Sequence, residues 1–263
     1  MKTIWTIILT LSLTANLATA QDTLYVYKAG AMIYKQAVTG VDSITFTKNV
    51  FPTQGLVAWY PFNGNANDES GNGNNGIVTS ATLTTDRLGN SNSAYNFSGV
   101  NCLTRIDAQI NTSSIDNSHE YSLSIWVKKI GNGCSTQPRI LEFFSTTNGA
   151  LQLNWDVVNT DYIEVETINN SAVFQATSYH YSNWLNNWNN VVFTAKTGSA
   201  KLYLNGVLVN SFTFNGLPSL ASSVSFGRMN HPTYNAINGA LDDIGIWNRA
   251  LTQEEITCLF NLK

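Results

Sequence analysis

The chain has 263 residues, room for one large domain with a small addition, and 43% of them are apolar, enough to bury a sizeable core. Only 12% are charged, against roughly 25% in an average globular protein, and Asn, Ser and Thr supply most of the polar surface instead. The net charge of −3 leaves no basic field to hold phosphates, which excludes nucleic acid as a partner.

Residues 1–20, MKTIWTIILTLSLTANLATA, have the layout of a secretory signal. Lys2 is the positive start, Ile4 to Leu17 the apolar stretch and Ala18-Thr19-Ala20 the small-residue cleavage site. The apolar stretch is shorter than the ~20 residues of a spanning helix, so export is expected without membrane insertion. The final compartment (secreted, cell surface or periplasm) stays open. Residues 21–49 read as a short β-rich leader, with strands at Leu24–Tyr27 and Ser43–Phe46 and a turn at Ala29-Gly30. Residues 50–55 read as a linker.

From Leu56 to the end at residue 263, strand patterns recur. Tyr121, Leu123, Ile125 and Val127 alternate along one strand. Strands follow near Arg139–Phe144, Leu151–Trp155, Asp161–Glu166, Asn190–Ala195 and Ser223–Arg228. Lys201–Val209 holds two strands around Asn205-Gly206, a pair that suits a type I′ turn because both residues tolerate positive φ. Many short strands separated by turns predict an all-β sandwich. One helix is expected at the C-terminus, where Thr252 and Glu255 form a capping box and Ile256, Leu259 and Phe260 share a face. Three cysteines in an exported chain permit at most one internal bridge. Cys102–Cys134 is the first choice, with three free or buried thiols as the alternative.

Four blocks carry a family resemblance: Leu56–Gly76, Tyr121–Val127, Trp188–Thr194 with Leu202–Val207, and Asn238–Leu251. Together they resemble the laminin-G-like and pentraxin-like branch of the concanavalin A-type lectin and glucanase superfamily. The leader's Val41–Phe46, VDSITF, resembles a segment found after the signal in exported Bacteroidetes proteins. The resemblance implies a jelly-roll β-sandwich, concanavalin A-like, with one short C-terminal helix. It leaves function open among lectins, adhesion modules, structural modules and glucanases.

The resemblance also implies a structural calcium between the first loop, Trp59–Gly76, and the closing strand. Calcium takes several oxygen ligands. Asp68, with the amide oxygens of Asn63 and Asn65, offers one half of a site, and Asp242 and Asp243 offer the other. If Ile244 and Ile246 face the core, strand alternation turns Asp242 inward with them, where a bare carboxylate is costly. The alternative is that Asn and Gly serve only as turn formers and that Asp68 accepts backbone N–H bonds.

For catalysis, glucanases of the superfamily carry an E-x-D-x-(x)-E strand. The nearest match, Glu164-Val-Glu166-Thr-Ile-Asn169, lacks the middle Asp and the last acid. The three histidines lie in turn-rich segments without a nucleophile motif, so no catalytic residue is assigned and a non-enzyme is expected. Sugar sites combine aromatic faces with amides and backbone groups. Tyr179 and Tyr181 near Trp184 and Trp188, together with His231 and Tyr234, meet that composition, and Trp155 and Tyr162 are placed on the sheet face between them. Trp188, which opens a strand, is expected in the core. The expected role is a carbohydrate-binding or adhesion module whose partner is a glycan or an extracellular protein. The rivals are a glucanase-type hydrolase and a purely structural module.

Overall fold

The computed structural model describes residues 23–28, 31–37, 50–98, 102–134, 138–143, 150–156, 162–168, 174–213, 221–228 and 236–262. Contacts divide the chain into two compact units, Met1–Lys48 and Asn49–Lys263. In the first, β1 (Thr23–Lys28) and β2 (Ala31–Ala37) pair antiparallel. The signal residues, the Ala29-Gly30 turn and the Ser43–Phe46 strand lie outside the described residues.

The second unit opens with β3 (Leu56–Tyr60), β4 (Ile77–Thr79), β5 (Thr82–Thr84), β6 (Ala94–Ser98), β7 (Arg105–Gln109), α1 (Ser113–Ser118) and β8 (Glu120–Gly131). It continues with β9 (Arg139–Phe143), β10 (Ala150–Asp156), β11 (Tyr162–Ile168), β12 (Phe174–His180), β13 (Trp188–Lys196), β14 (Ser199–Leu204) and β15 (Val207–Phe212). It closes with β16 (Ser223–Phe226), β17 (Asn238–Trp247) and α2 (Gln253–Asn261). Two antiparallel sheets result. One has seven strands in the order β12-β11-β10-β9-β16-β7-β4, and the other has eight in the order β15-β14-β13-β8-β17-β6-β5, with β3 also paired to β17. This is the jelly-roll sandwich that the resemblance implied.

Alternation builds the core. Tyr121, Leu123, Ile125 and Val127 of β8 meet Leu151, Leu153 and Trp155 of β10 and Ile163 and Val165 of β11 between the sheets. A second cluster lies on the other side of the eight-stranded sheet, where Ile256 and Leu259 of α2 cover Val192, Tyr203 and Trp247. The capping box forms as read: Thr252 Oγ1 accepts from the Glu255 amide at 3.3 Å, and Glu255 accepts from the Thr252 amide at 2.9 Å. The β14–β15 turn places Asn205 at φ 52° and Gly206 at φ 79°, the left-handed pair that its sequence favours. Cys102 is bonded to Cys134, and Cys258 is a buried free thiol.

One strand departs from simple alternation. The pairing of β17 with β8 shifts register between Asp242 and Gly245, and Asp243 adopts φ 45°. An extra residue at a bulge reverses side-chain direction beyond it. Leu241 and Ile244 therefore both enter the core, and Asp242 sits opposite Trp126 in the ladder. The inward-facing Asp242, expected beside Ile244 and Ile246, is thus corrected: it lies on the outer face of the eight-stranded sheet.

Candidate functional site

The Asn- and Gly-rich arc after β3 is organised by one carboxylate. Asp68 Oδ1 accepts from the amides of Trp59 and Ser70, both at 2.9 Å. Its Oδ2 accepts from the amide of Asn74 at 2.9 Å and from Asn74 Nδ2 at 3.0 Å. Asn72 and Asn74 then donate from their side chains to Val57 O, at 3.0 and 2.9 Å. Gly71 and Gly73, at φ 88° and 77°, make the bends that bring these amides back. The arc thus pairs the free edge of β3 in place of another strand. Burial alone would push the Asp68 carboxyl up, but the hydrogen bonds from Ser70, Trp59 and Asn74 outweigh it and hold the group below the usual carboxylate range.

Asp242 and Asp243 belong to a different neighbourhood. Trp59 turns both its amide, to Asp68, and its carbonyl, to Glu69, away from β17, so β3 stands between Asp68 and the closing strand. The partner of the acid pair is Arg87, from the turn after β5. Its Nη2 lies 2.8 Å from Asp243 Oδ2, and its Nη1 lies 3.9 Å from Asp242 Oδ2. Arg87 also donates to Leu262 O at 3.0 Å, and its guanidinium stands 4.7 Å over the Trp126 ring. Burial raises both carboxyls above the usual range. Asp243 adds to the rise at Asp242, Asp86 adds at both, and Arg87 opposes it at both.

The five residues expected to hold calcium therefore do not form one site. Asp68 spends both oxygens on four donors, Asn65 Oδ1 accepts from the Asn67 amide at 2.7 Å, and Asn63 is exposed. Among the described residues no group of three or more His, Cys, Asp or Glu side chains is arranged to hold a metal ion. The donor set does not fit the ion, because hydrogen bonds and Arg87 already occupy its strongest members. Chelation with EDTA is expected to move the melting temperature by less than about 1 °C. A fall of several degrees that added calcium reverses would reinstate the calcium site.

The aromatic candidates also separate. Trp155 is 1% exposed, inside the sandwich. Its alternation with Leu151 and Leu153 puts it in the core, which corrects its placement on a binding face. Tyr162 is partly exposed at the start of β11, next to the edge strand β12 of the seven-stranded sheet, and stands edge-on to His180 at 5.2 Å. Tyr179 and Tyr181 are partly buried and pack against the core. His231 and Tyr234 lie outside the described residues.

The outer side of the seven-stranded sheet is polar, and most of its described side chains are buried. Glu142 is 0% exposed and its Oε1 accepts from Gln152 Nε2 at 2.7 Å. Glu164 accepts from Asn154 at 3.1 Å, and Glu166, buried, lies 3.7 Å from Arg139. Burial raises the Glu166 carboxyl, and Arg139 opposes the rise.

An open site lies elsewhere. A groove of about 540 Å³ runs along the outer face of the eight-stranded sheet beside the end of α2. Trp126 of β8 and Trp188 of β13 floor it, and Tyr181, Phe260 and Leu88 line its sides. Phe260 stacks on Trp126 with ring centroids 5.7 Å apart and planes 14° apart, and Arg87 lies over the same ring. Trp188 is only partly buried, which overturns its expected place in the core. Beside it the amides form a chain. Asn187 Nδ2 donates to Asn183 Oδ1 at 2.8 Å, Asn189 Nδ2 to Asn187 O at 3.1 Å, and Asn205 Nδ2 to Asn189 Oδ1 at 3.0 Å. The Asn190 amide donates to Asn205 Oδ1 at 2.9 Å and locks the end of the chain.

The segment Tyr179–Trp188 had flagged this region by composition. Trp126 was readable as the outward member of the alternating β8, whereas nothing in the local sequence tied Arg87 or Asn205 to it.

Residues 104–257 match the Laminin_G_3 family model, described as the concanavalin A-like lectin/glucanases superfamily, over more than half of the chain. The chain belongs to this family. Among solved structures, this laminin-G-like domain is similar to the receptor binding domain of botulinum neurotoxin C/D mosaic serotype. The TM-score is 0.65 at 20% identity, over 79% of this chain and 51% of that one. It is similar also to the binding domain of botulinum neurotoxin DC, solved in complex with SialylT (TM-score 0.63, 17% identity, 80% of this chain and 51% of that one). The same domain solved with rat synaptotagmin II gives a TM-score of 0.63 at 18% identity, over 80% and 52%. The laminin-G-like chain thus spans about half the length of these structures, and at such identities the likeness is one of fold. No curated protein matches its sequence.

Proposed function

We propose that the protein is an exported, non-catalytic binding module that holds a glycan in the groove over Trp126 and Trp188. The observation that carries this reading is the pairing of a partly exposed Trp188 with a pre-ordered amide chain in one open groove. An aromatic face meets the C–H side of a sugar ring, and fixed amides meet its hydroxyls without losing much side-chain entropy on binding. The fold agrees with such a role, since similar structures include a binding domain solved with SialylT and with a protein partner.

Against hydrolysis stand the acids of the seven-stranded sheet. Glu142 and Glu166 are both buried and already engaged, Glu142 accepting from Gln152 and Glu166 lying beside Arg139. Export rests on residues 1–20. Among the described residues no helix is long and apolar enough to cross a membrane. A glycan array probed with the full mature chain tests the reading, and binding to a defined set of oligosaccharides is the expected result. Release of reducing sugar that Glu164→Gln or Glu166→Gln abolishes would contradict it, as would an array without a hit.

A further inference from the structure

Resting on that reading of the groove, we infer that its ligand is an uncharged stretch of glycan, recognised through hydroxyl groups, and that acidic sugars are disfavoured. Three observations converge on this.

The first is charge. Arg87 is the one charged side chain among the described residues that line the groove. It is not available to an anion: its side chain is 7% exposed, paired with Asp243 at 2.8 Å and bonded to Leu262 O at 3.0 Å. Asp242 and Asp86 lie close enough to act on the same cluster. Arg87 is thus already matched by Asp243, with Asp86 beside the pair, so the described residues that line the groove offer an added carboxylate or sulfate no free cation and a field that disfavours it.

The second is hydrogen-bond polarity. Asn187 uses its NH₂ on the acceptors Asn183 O, Asn183 Oδ1 and Leu185 O, which fixes the amide orientation. Its Oδ1 is left as an acceptor without a protein partner among the described residues. Asn261 repeats the arrangement, with Nδ2 donating to Thr257 O at 2.9 Å and its oxygen without a protein partner among the described residues. Two fixed acceptors call for donors on the ligand. A hydroxyl set against them can donate, whereas an ionised carboxylate or sulfate in the same place cannot, so an acidic sugar must turn its charged group away from both. The Asn183 side chain, whose Oδ1 is taken by Asn187, adds an NH₂ with no acceptor among the described residues, so donors and acceptors together suit the hydroxyls of one ring.

The third is the aromatic surface. Trp126 is 8% exposed, stacked with Phe260 and approached by Arg87, so the platform left for the apolar side of a sugar is the more open Trp188. Its cross-strand neighbour is Lys128, the nearest other cation by register and the natural rival for an acidic ligand.

The test titrates the full mature chain with neutral gluco-, manno-, galacto- and xylo-oligosaccharides. Acidic counterparts, namely uronic-acid, sialylated and sulfated chains of the same length, are titrated alongside. Neutral ligands are expected to bind at least about tenfold more tightly than acidic ones. That gap should narrow as salt rises from about 20 mM to about 500 mM, because the repulsion is screened. Asp243→Asn, which releases Arg87, should narrow it too, and the salt series on the unaltered protein covers the case in which that variant does not fold. Acidic chains that bind as well as neutral ones would overturn the inference while leaving the groove as a glycan site. Loss of their binding in Lys128→Gln would then assign the anion to Lys128. Binding by neither class would overturn the proposed function itself.

Discussion

Replacing Trp188 by alanine is expected to weaken glycan binding by about 10- to 100-fold, the loss of a central aromatic anchor. The same change should lower folding stability by less than about 1.5 kcal/mol, because the ring is only partly buried and its removal leaves a wider groove in place of a closed cavity. Trp155→Ala provides the contrast. That ring is 1% exposed between the sheets, so its loss should cost about 3–5 kcal/mol and affect binding only through unfolding. Calorimetric titration at a temperature where all three proteins are folded separates the two effects. A Trp188→Ala protein that binds as the unaltered one does would remove the groove from consideration.

The second large effect belongs to Asp68. Asp68→Ala strips the acceptor from three backbone amides and one side-chain amide at once. A hydrogen bond to a charged group contributes about 1.5–3 kcal/mol, and bonds that share one carboxylate do not add fully. A loss of about 3 kcal/mol or more in urea unfolding is the expected result. Asp68→Asn keeps one acceptor but turns an NH₂ toward donors, so a smaller loss of about 2 kcal/mol is expected.

The sign of the pH effect follows from the carboxyl being held below its ordinary range. The folded state binds its proton less readily than the unfolded state. The contribution is therefore complete above the unfolded value of 3.8 and is lost as pH falls through the folded one. The difference between the native protein and Asp68→Asn should be constant from about pH 8 to about pH 5 and shrink below about pH 4. A difference that persists unchanged to lower pH, or an Asp68→Ala loss under about 1 kcal/mol, would mean that the arc holds without its carboxylate.

The sandwich was legible wherever one strand carried its own period. The alternation of Tyr121, Leu123, Ile125 and Val127 named the inner face of β8, Asn205-Gly206 named a hairpin, and Thr252 with Glu255 named the start of α2. What failed to show was anything decided by a partner strand. The bulge at Asp242–Asp243 exists because β17 pairs with β8 along one side and with both β6 and β3 along the other. Once it forms, simple alternation assigns Asp242 to the wrong side. Asp68 was weighed as a calcium ligand and as an acceptor of backbone N–H bonds, and the turn-former alternative describes what it does. Arg87 carried no signal, since its acids and the ring it covers lie far along the chain.

The site shows the same division. Composition drew attention to Tyr179–Trp188, the segment that supplies Tyr181, Asn183, Asn187 and Trp188 to the groove. Trp155 was misplaced because a tryptophan beside amides looks alike in a core strand and at a sugar site until the facing sheet is known. Trp188 was misplaced for the converse reason. It opens a strand whose later members are core, but its own turn of the alternation points to the outer face, where α2 stops short of covering it.

The measurement that bears most directly on the groove is a heteronuclear NMR titration of the mature chain with a neutral oligosaccharide taken from the array. Shifts are expected to concentrate at the indole N–H of Trp188 and the side-chain amides of Asn183, Asn187, Asn189 and Asn205. Shifts confined to Gln152, Asn154 and Tyr162 would contradict this expectation, placing the ligand on the seven-stranded sheet instead.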